Sequence, residues 1–399
     1  MFKYSLLAAA SFLALAAAPA MAETVLTVNI EPATTWVRNF NPFNQTSSLQ
    51  STTDFIYEPL VIFNTFDGNK PNYRLAESFK LADDLKSIEF KLRPDLKWSD
   101  GQPLTSADVK FTYDYLKKFP ALDFVSIWNF ISDVQVVDAQ TIRFTLVNPS
   151  SLAAAQLAQV PIVPEHVWKD VADPVTFANE KPVGSGPMTE IPRFTGQTYD
   201  QCRNPNYWDA KDLKIDCMRF PQLADNNQIL NATADGTLDW GVSFLPDIDN
   251  TYVAKDPEHF HYWYTPSSMV AFLFNQETAN ANNKKAFSDI KFRRAVSMAL
   301  DRKTMIDTAG YGYPTLNEDP SGLGELYKSW SDPSVVADFG KYGKYDADAA
   351  KAALDQAGYV DKDGDGFRDN PDGSKISFSI IVPNGWTDWI DTVQIAVDS

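Results

Sequence analysis

Apolar and polar residues alternate with a period of two from Val25 to Ile30, Ser87 to Leu92 and Thr141 to Leu146, which predicts half-buried strands. Ile131 to Val137 pairs with Thr141 to Leu146 as a hairpin around Asp138-Ala139-Gln140. Gln197 to Cys202, Lys214 to Phe220, Met269 to Asn275 and Ile376 to Val382 read as further strands, and His259 and His261 alternate along another. The period changes to helical after Ser106-Ala107-Asp108, where Val109, Tyr113 and Leu116 share a face. Ala224 to Ala234 is helical, Ser288 caps Asp289 to Leu300, Asp301 to Ala309 continues after a break, and Gly358 stops Ala347 to Ala357. The strands and helix from Pro71 to about Val175 predict a self-contained α+β block inserted in the chain.

Two stretches carry candidate chemistry. Val382-Pro383-Asn384-Gly385-Trp386-Thr387-Asp388-Trp389 places a turn between the Ile376 run and a helix in which Trp389, Ile390, Val393, Ala396 and Val397 share one face. An indole and a carboxylate at such a mouth, Trp386 and Asp388, suit the apolar face and the hydroxyls of a sugar ring. A core Trp and an Asp that complements the helix dipole explain the same residues. Arg38, Asn39 and Phe40 lie in an aromatic-rich segment with no periodicity, so a loop is expected, either a binding edge or one pinned by its own hydrogen bonds.

Composition narrows the class. The formal net charge of −17 argues against nucleic acid or an anionic membrane as the main partner. Lys3, the apolar run Leu6 to Ala18 and Ala20-Met21-Ala22 form a cleavable signal peptide over residues 1–22, with no Cys near Ala22 for a lipid anchor. A periplasmic protein beginning at Glu23 is expected. In that compartment Cys202 and Cys217 are expected to form a disulfide worth about 3 kcal/mol. Asp361, Asp363, Asp365, Asp369 and Asp372, with Gly366 at the sixth position, follow calcium-loop spacing, although Arg368 stands where an apolar residue is usual and an Asp/Gly-rich turn needs no metal. The chain ends inside the amphipathic helix at Val393 to Ser399, so a longer final lobe is expected.

Pro182-Val183-Gly184-Ser185-Gly186-Pro187 lacks the Lys-Ser or Lys-Thr of a phosphate loop and reads as a tight structural turn. There is no Gly-x-Ser-x-Gly, His-Glu-x-x-His or Cys-x-x-Cys, and only three histidines, His166, His259 and His261. Neither an enzyme nor a cofactor is expected.

The run from Ile88 through Arg93-Pro94-Asp95-Leu96-Lys97-Trp98-Ser99-Asp100-Gly101-Gln102-Pro103 to Val109 resembles the signature of the large solute-binding proteins of ABC importers, the peptide, nickel and oligosaccharide cluster. Pro182 to Pro187, Asn204-Pro205-Asn206-Tyr207-Trp208 and Phe292 to Arg302 look like three further blocks of that family in order. Arg38 to Phe43, Thr53 to Leu60, the Cys202/Cys217 pair and Asn384-Gly385-Trp386-Thr387-Asp388 are most similar to its periplasmic chitooligosaccharide-binding members, with cellobiose binders close behind.

The resemblance implies an α/β, two-lobed, type II periplasmic-binding-protein-like fold with an extra subdomain. It implies a monomer that takes a β-1,4-linked oligosaccharide to an inner-membrane ABC permease; a further partnership with a membrane sensor is a separate option on which the sequence is silent. Trp386, Asp388 and Asn384 would line the ligand cleft, with Ser243 and Phe244 on a facing loop and Arg38, Asn39 and Phe40 at another edge. Lobe I is expected over 23–274, with the inserted subdomain at about 70–180, and lobe II over 275–399. A di- or oligopeptide binder of the same fold is the rival within transport, and a secreted glycoside hydrolase the rival outside it.

Overall fold

The computed structural model describes residues 23–44, 50, 52–264, 269–317 and 319–399, with the side chains of Phe66, Glu325 and Leu326 left aside. The expected signal peptide at 1–22 lies outside the described residues. The described residues form two compact units: 23–26 with 36–220, and 27–35 with 221–399. This differs from the expected division after 274, because residues 221–274 group with the later chain and 27–35 join them.

The first unit contains the α+β block. Its antiparallel sheet runs in the order Ala76–Leu81, Ser87–Leu92, Thr141–Leu146, Ile131–Asp138. Ile88, Phe90 and Leu92 point into the core while Glu89 and Lys91 face outward, as the period of two requires. The helix Ser106–Lys118 begins with a capping box: Thr105 Oγ1 accepts the Ala107 N–H at 3.2 Å and Asp108 Oδ2 accepts the Thr105 N–H at 2.9 Å. Its buried Val109, Tyr113 and Leu116 cover the sheet, with the Tyr113 and Phe144 rings 4.7 Å apart.

The rest of the unit is built on the strands Cys217–Pro221, Thr198–Arg203 and Met188–Phe194, in that order. The Cys202–Cys217 disulfide joins the first two, Cα to Cα 4.0 Å. Tyr199 stacks on Phe220 with centroids 4.5 Å apart, and Trp36 meets Tyr199 edge-on at 5.0 Å. The turn at Pro182–Pro187 is structural. A Cβ on Gly184 would sit 2.1 Å from Ile56 O, and one on Gly186 2.4 Å from Phe55 O, so only glycine permits this crossing.

Glu58 is fully buried in this unit. It pairs with Arg74 and accepts hydrogen bonds from Tyr207 Oη at 3.0 Å and Trp208 Nε1 at 2.8 Å. The Arg93 guanidinium lies over the Trp208 ring at 3.9 Å. The Asn204 to Trp208 block is therefore a clamp on a buried ion pair.

The second unit holds Val28 and Asn29 in parallel register with Trp240 and Gly241. Its helices include Asn226–Ala234, Ala281–Ser288, Ile290–Ala299, Ala347–Ala357 and Thr387–Asp398. Phe287, Phe292, Ala286 and Tyr359 form a core cluster with Phe274, Leu354 and Ile376 against it. Asp289 rather than Ser288 caps the Ile290 helix, its carboxylate accepting the Lys291 N–H at 2.8 Å. Gly358 closes the Ala347 helix at φ +88° as the sequence predicts.

Three predicted strands of this unit do not form. Residues 259–264, 269–275 and 376–382 find no ladder partner among the described residues. Alternation reports which side chains could share a face, but a strand exists only as a pair. Leu273 and Ile381 are 92% and 94% exposed in consequence.

Candidate functional site

The best-organised constellation among the expected residues lies in the second unit and centres on Asn226. The Asp225 carboxylate caps the helix Asn226–Ala234 by accepting the Gln228 N–H at 2.8 Å, which fixes Asn226 in the first turn. Asn226 is 3% exposed. Its Nδ2 donates to Asp388 Oδ1 at 3.1 Å and to Thr387 Oγ1 at 3.2 Å. Its Oδ1 accepts from Ser243 Oγ at 2.9 Å. One buried amide thus gathers Ser243, Thr387 and Asp388 from segments far apart in sequence.

The turn before Thr387 is seated on the same helix start. The Asn226 N–H donates to Gly385 O at 3.1 Å. Gly385 has φ +85°, and a Cβ there would lie 2.4 Å from Ala224 O, so glycine is required both by conformation and by close approach. The helix Thr387–Asp398 begins directly after Trp386, and Asp388 occupies its first turn. Burial pushes the Asp388 carboxyl above its ordinary range, opposed by backbone N–H groups of the helix start and by the Asn226 amide. Asp388 is half-buried and Asn384 exposed.

Trp386 is half-buried and meets Trp389 edge-on, centroids 4.8 Å apart at 79°. The helical spacing assigns Trp389 to the core, yet it too is half-buried, and Ile390 and Val397 are exposed. The helix packs on Met305–Ala309 and buries no residue completely.

Beyond Ser243 the loop is held by aromatics. Phe244 lies 6.0 Å from Tyr311 and 5.8 Å from Tyr313, ring to ring. Tyr313 Oη accepts the Ile248 N–H at 2.7 Å and donates to Leu245 O at 3.3 Å. Tyr264 packs on Tyr313 at 5.5 Å and is 55% exposed; Tyr311 is 51% exposed. Sequence reasoning found Phe244 but missed Asn226, Thr387, Tyr311 and Tyr313. The Asp225-Asn226-Asn227 start of a helix was the one available signal for Asn226.

Arg38, Asn39 and Phe40 belong to the first unit. Phe40 is fully buried, edge-on to Phe194 and Tyr199, which gives it a packing role instead of the expected place at a binding edge. Arg38 Nε donates to Glu180 O at 2.8 Å, and Asn39 Oδ1 accepts the Asn41 N–H at 3.0 Å. Asn41 Nδ2 reaches Pro174 O and Phe177 O, both at 2.9 Å. This loop is pinned by hydrogen bonds within itself and, more, by those to the segment 174–180.

His259 and His261 are exposed, with Asp256 at 3.1 Å from one and Glu258 O at 3.1 Å from the other, and among the described residues no nucleophile is hydrogen-bonded to either. Among the described residues no helix is long and apolar enough to cross a membrane.

Residues 70–399 match the family model of bacterial extracellular solute-binding proteins, family 5, middle region. The mannohexaose-bound oligopeptide ABC transporter periplasmic oligopeptide-binding protein of Thermotoga maritima superposes with a TM-score of 0.82 at 29% identity, covering 94% of this chain and 70% of that one. A binding protein of Brucella abortus is 27% identical over 357 residues, 77% of this chain and 55% of its own. Protein XP55 of Streptomyces lividans is 29% identical over 315 residues, 77% of this chain and 53% of its own. The chain thus spans about half the length of these curated relatives.

Proposed function

Because this chain belongs to the bacterial extracellular solute-binding proteins of family 5, we propose that it is the periplasmic solute-binding component of an ABC importer, handing a short oligomer to a membrane permease. The two-lobed α/β fold with an extra subdomain and the similarity to binding proteins support a role without catalysis. The observation that carries the reading is the seat of Asp388. A half-buried carboxylate and the Ser243 and Thr387 hydroxyls are fixed by one amide beside a half-exposed indole. Such a set accepts hydrogen bonds from a ligand while Trp386 offers a flat apolar face.

Two solutes fit this chemistry. An oligopeptide is favoured by the relatives' names, since the Thermotoga protein is called an oligopeptide-binding protein, and Asp388 would then receive the α-ammonium. An oligosaccharide is favoured by Trp386 and by the mannohexaose bound to that same protein. Asp388 would then accept sugar hydroxyls and the indole would stack on a pyranose, worth about 1–3 kcal/mol by analogy with other ring stacking. Chitobiose and cellobiose, which the sequence resemblance suggests, belong among the ligands to assay.

A thermal-shift screen followed by calorimetry, using chitobiose, cellobiose, mannohexaose and di- to pentapeptides, separates these solutes, because a ligand well above its Kd raises Tm. A Tm rise with sugars alone supports the oligosaccharide. A rise with peptides alone, lost on N-acetylation, supports the peptide. Binding by either class that is unchanged in Trp386→Ala and Asp388→Asn would overturn the site.

A further inference from the structure

Asn384-Gly385 is the one Asn-Gly pair in the chain, and it forms the turn on which the solute site is seated. An asparagine before glycine is open to attack on its side-chain amide by the next backbone nitrogen, because glycine has no Cβ to keep the two apart. A fold protects such a pair by tying down the asparagine side chain or by engaging the glycine N–H. Neither protection is present here. Asn384 is exposed, and among the described residues neither its side chain nor the Gly385 N–H has a hydrogen-bond partner. Gly385 is held through its carbonyl, which accepts the Asn226 N–H at 3.1 Å and leaves the nitrogen free.

The glycines that follow Asp100, Asp235, Asp363, Asp365 and Asp372 show the contrast. Gly101 donates to Trp98 O at 2.9 Å, Gly236 to Thr233 O at 3.2 Å and Gly373 to Asn370 O at 2.8 Å. In the acidic turn Gly364 and Gly366 donate to Asp361 at 2.7 and 2.9 Å, while Lys375 neutralises Asp363, Asp365 and Asp369 and Lys285 holds Asp372. Each of these nitrogens is engaged. Electrostatics adds to the difference at Gly385. The helix Thr387–Asp398 begins just after it, and the positive end of its dipole favours the negative charge the nitrogen takes on when it loses its proton.

We propose that Asn384 is a site of spontaneous modification, where the amide converts to a mixture of aspartate and isoaspartate and so ties ligand binding to the age of the chain. Hydroxide takes the Gly385 amide proton, and the nitrogen lone pair forms a bond to Asn384 Cγ. The bond from Cγ to the side-chain nitrogen breaks, and that nitrogen leaves as ammonia with a proton from water, which restores the hydroxide. Water then opens the cyclic succinimide. Attack at Cγ gives aspartate; attack at the main-chain carbonyl carbon gives isoaspartate, with the side-chain carbon now in the backbone. The net change is water in and ammonia out, with no oxidant or cofactor. The effect on binding rests on the function proposed above. Isoaspartate lengthens the main chain immediately before Gly385, where a Cβ would already lie 2.4 Å from Ala224 O. Both products also add a carboxylate close in sequence to Asp388. The turn carrying Trp386 and Asp388 has no room to absorb the change, so aged chains lose the ligand.

The test is peptide mass mapping of the folded full chain during incubation at neutral and mildly alkaline pH. The peptide that contains Asn384 should gain one mass unit and split into two chromatographic species, faster as pH rises, because the nitrogen must lose its proton. Asn384→Gln should show no gain there. An Asn384 still unmodified after several half-lives of a free peptide of the same sequence overturns the proposal, as does earlier conversion at other asparagines. These readings need no ligand, so they stand apart from the proposed function. Calorimetry of the aged chain, with the ligand that raises the Tm of fresh chain, gives the second readout: molar binding capacity should fall in step with the isoaspartate content. Full capacity in a fully converted chain overturns the link to the solute site.

Discussion

Asn226 Nδ2 donates to Asp388 Oδ1 at 3.1 Å across 162 positions of sequence, while the other end of the same amide receives Ser243. An amide buried to this degree makes the carboxylate's position a property of the fold. Asn226→Ala strands Asp388 and Ser243 together, at a cost of about 1–3 kcal/mol. Urea unfolding should show that loss, and the ligand that shifts the wild-type Tm should bind the variant more weakly. Asn226→Asp should be worse than Ala for Asp388, since it faces one carboxylate with another.

Asp388 gives a pH signature. Burial raises its folded-state pKa above the ordinary 3.8, so the native chain holds this proton longer than the unfolded chain does. Its contribution to stability is therefore greatest in acid, falls as pH climbs from the unfolded value through the folded one, and is flat beyond. Asp388→Asn should gain on the wild type across that window in urea melts at a series of pH values. Ligand affinity should move the opposite way, declining on acidification from a higher pH than an ordinary Asp would give.

Gly385→Ala tests the seat of the turn. The new Cβ meets Ala224 O at 2.4 Å with φ at +85°, so the backbone must move. The expected cost exceeds the roughly 1 kcal/mol of a simple Gly-to-Ala mismatch. Because the displaced turn carries Trp386 and Asp388, the ligand-induced Tm shift should shrink as well.

In the first unit, Arg74→Ala should be far more damaging than Glu58→Gln. Burial pushes the Glu58 carboxyl up, and Arg74, with the Trp208 and Tyr207 hydrogen bonds, opposes it. Removing the arginine alone leaves a buried acid without its partner, about 3–5 kcal/mol. Glu58→Gln removes the charge that needed compensating. Chemical denaturation of both variants distinguishes the two outcomes.

The α+β block was legible from sequence because its signals are local and agree. Ile88, Phe90 and Leu92 alternate, Thr105 and Asp108 cap, and the hairpin at Asp138 closes within a few residues. The site was half legible. Trp386 and Asp388 stand out as residue types at a turn, whereas Asn226 acts through contacts made 17, 161 and 162 positions away, which no periodicity reports. Phe40 drew attention by its company, but the core of the first unit absorbs it. The unformed strands at 269–275 and 376–382 show the same limit from the other side: pattern names a candidate, and a neighbour makes it a strand.

Those two runs also govern how the chain behaves as a colloid. Leu273 and Ile381, 92% and 94% exposed, lie in runs with strand-like sequence and no ladder partner among the described residues, which makes them adhesive. What keeps such copies apart in dilute buffer is the mutual repulsion of a chain with formal charge −17. Salt shortens the reach of that repulsion to about 8 Å near 0.15 M without touching those runs. Its solubility is therefore set by ionic strength as much as by folding.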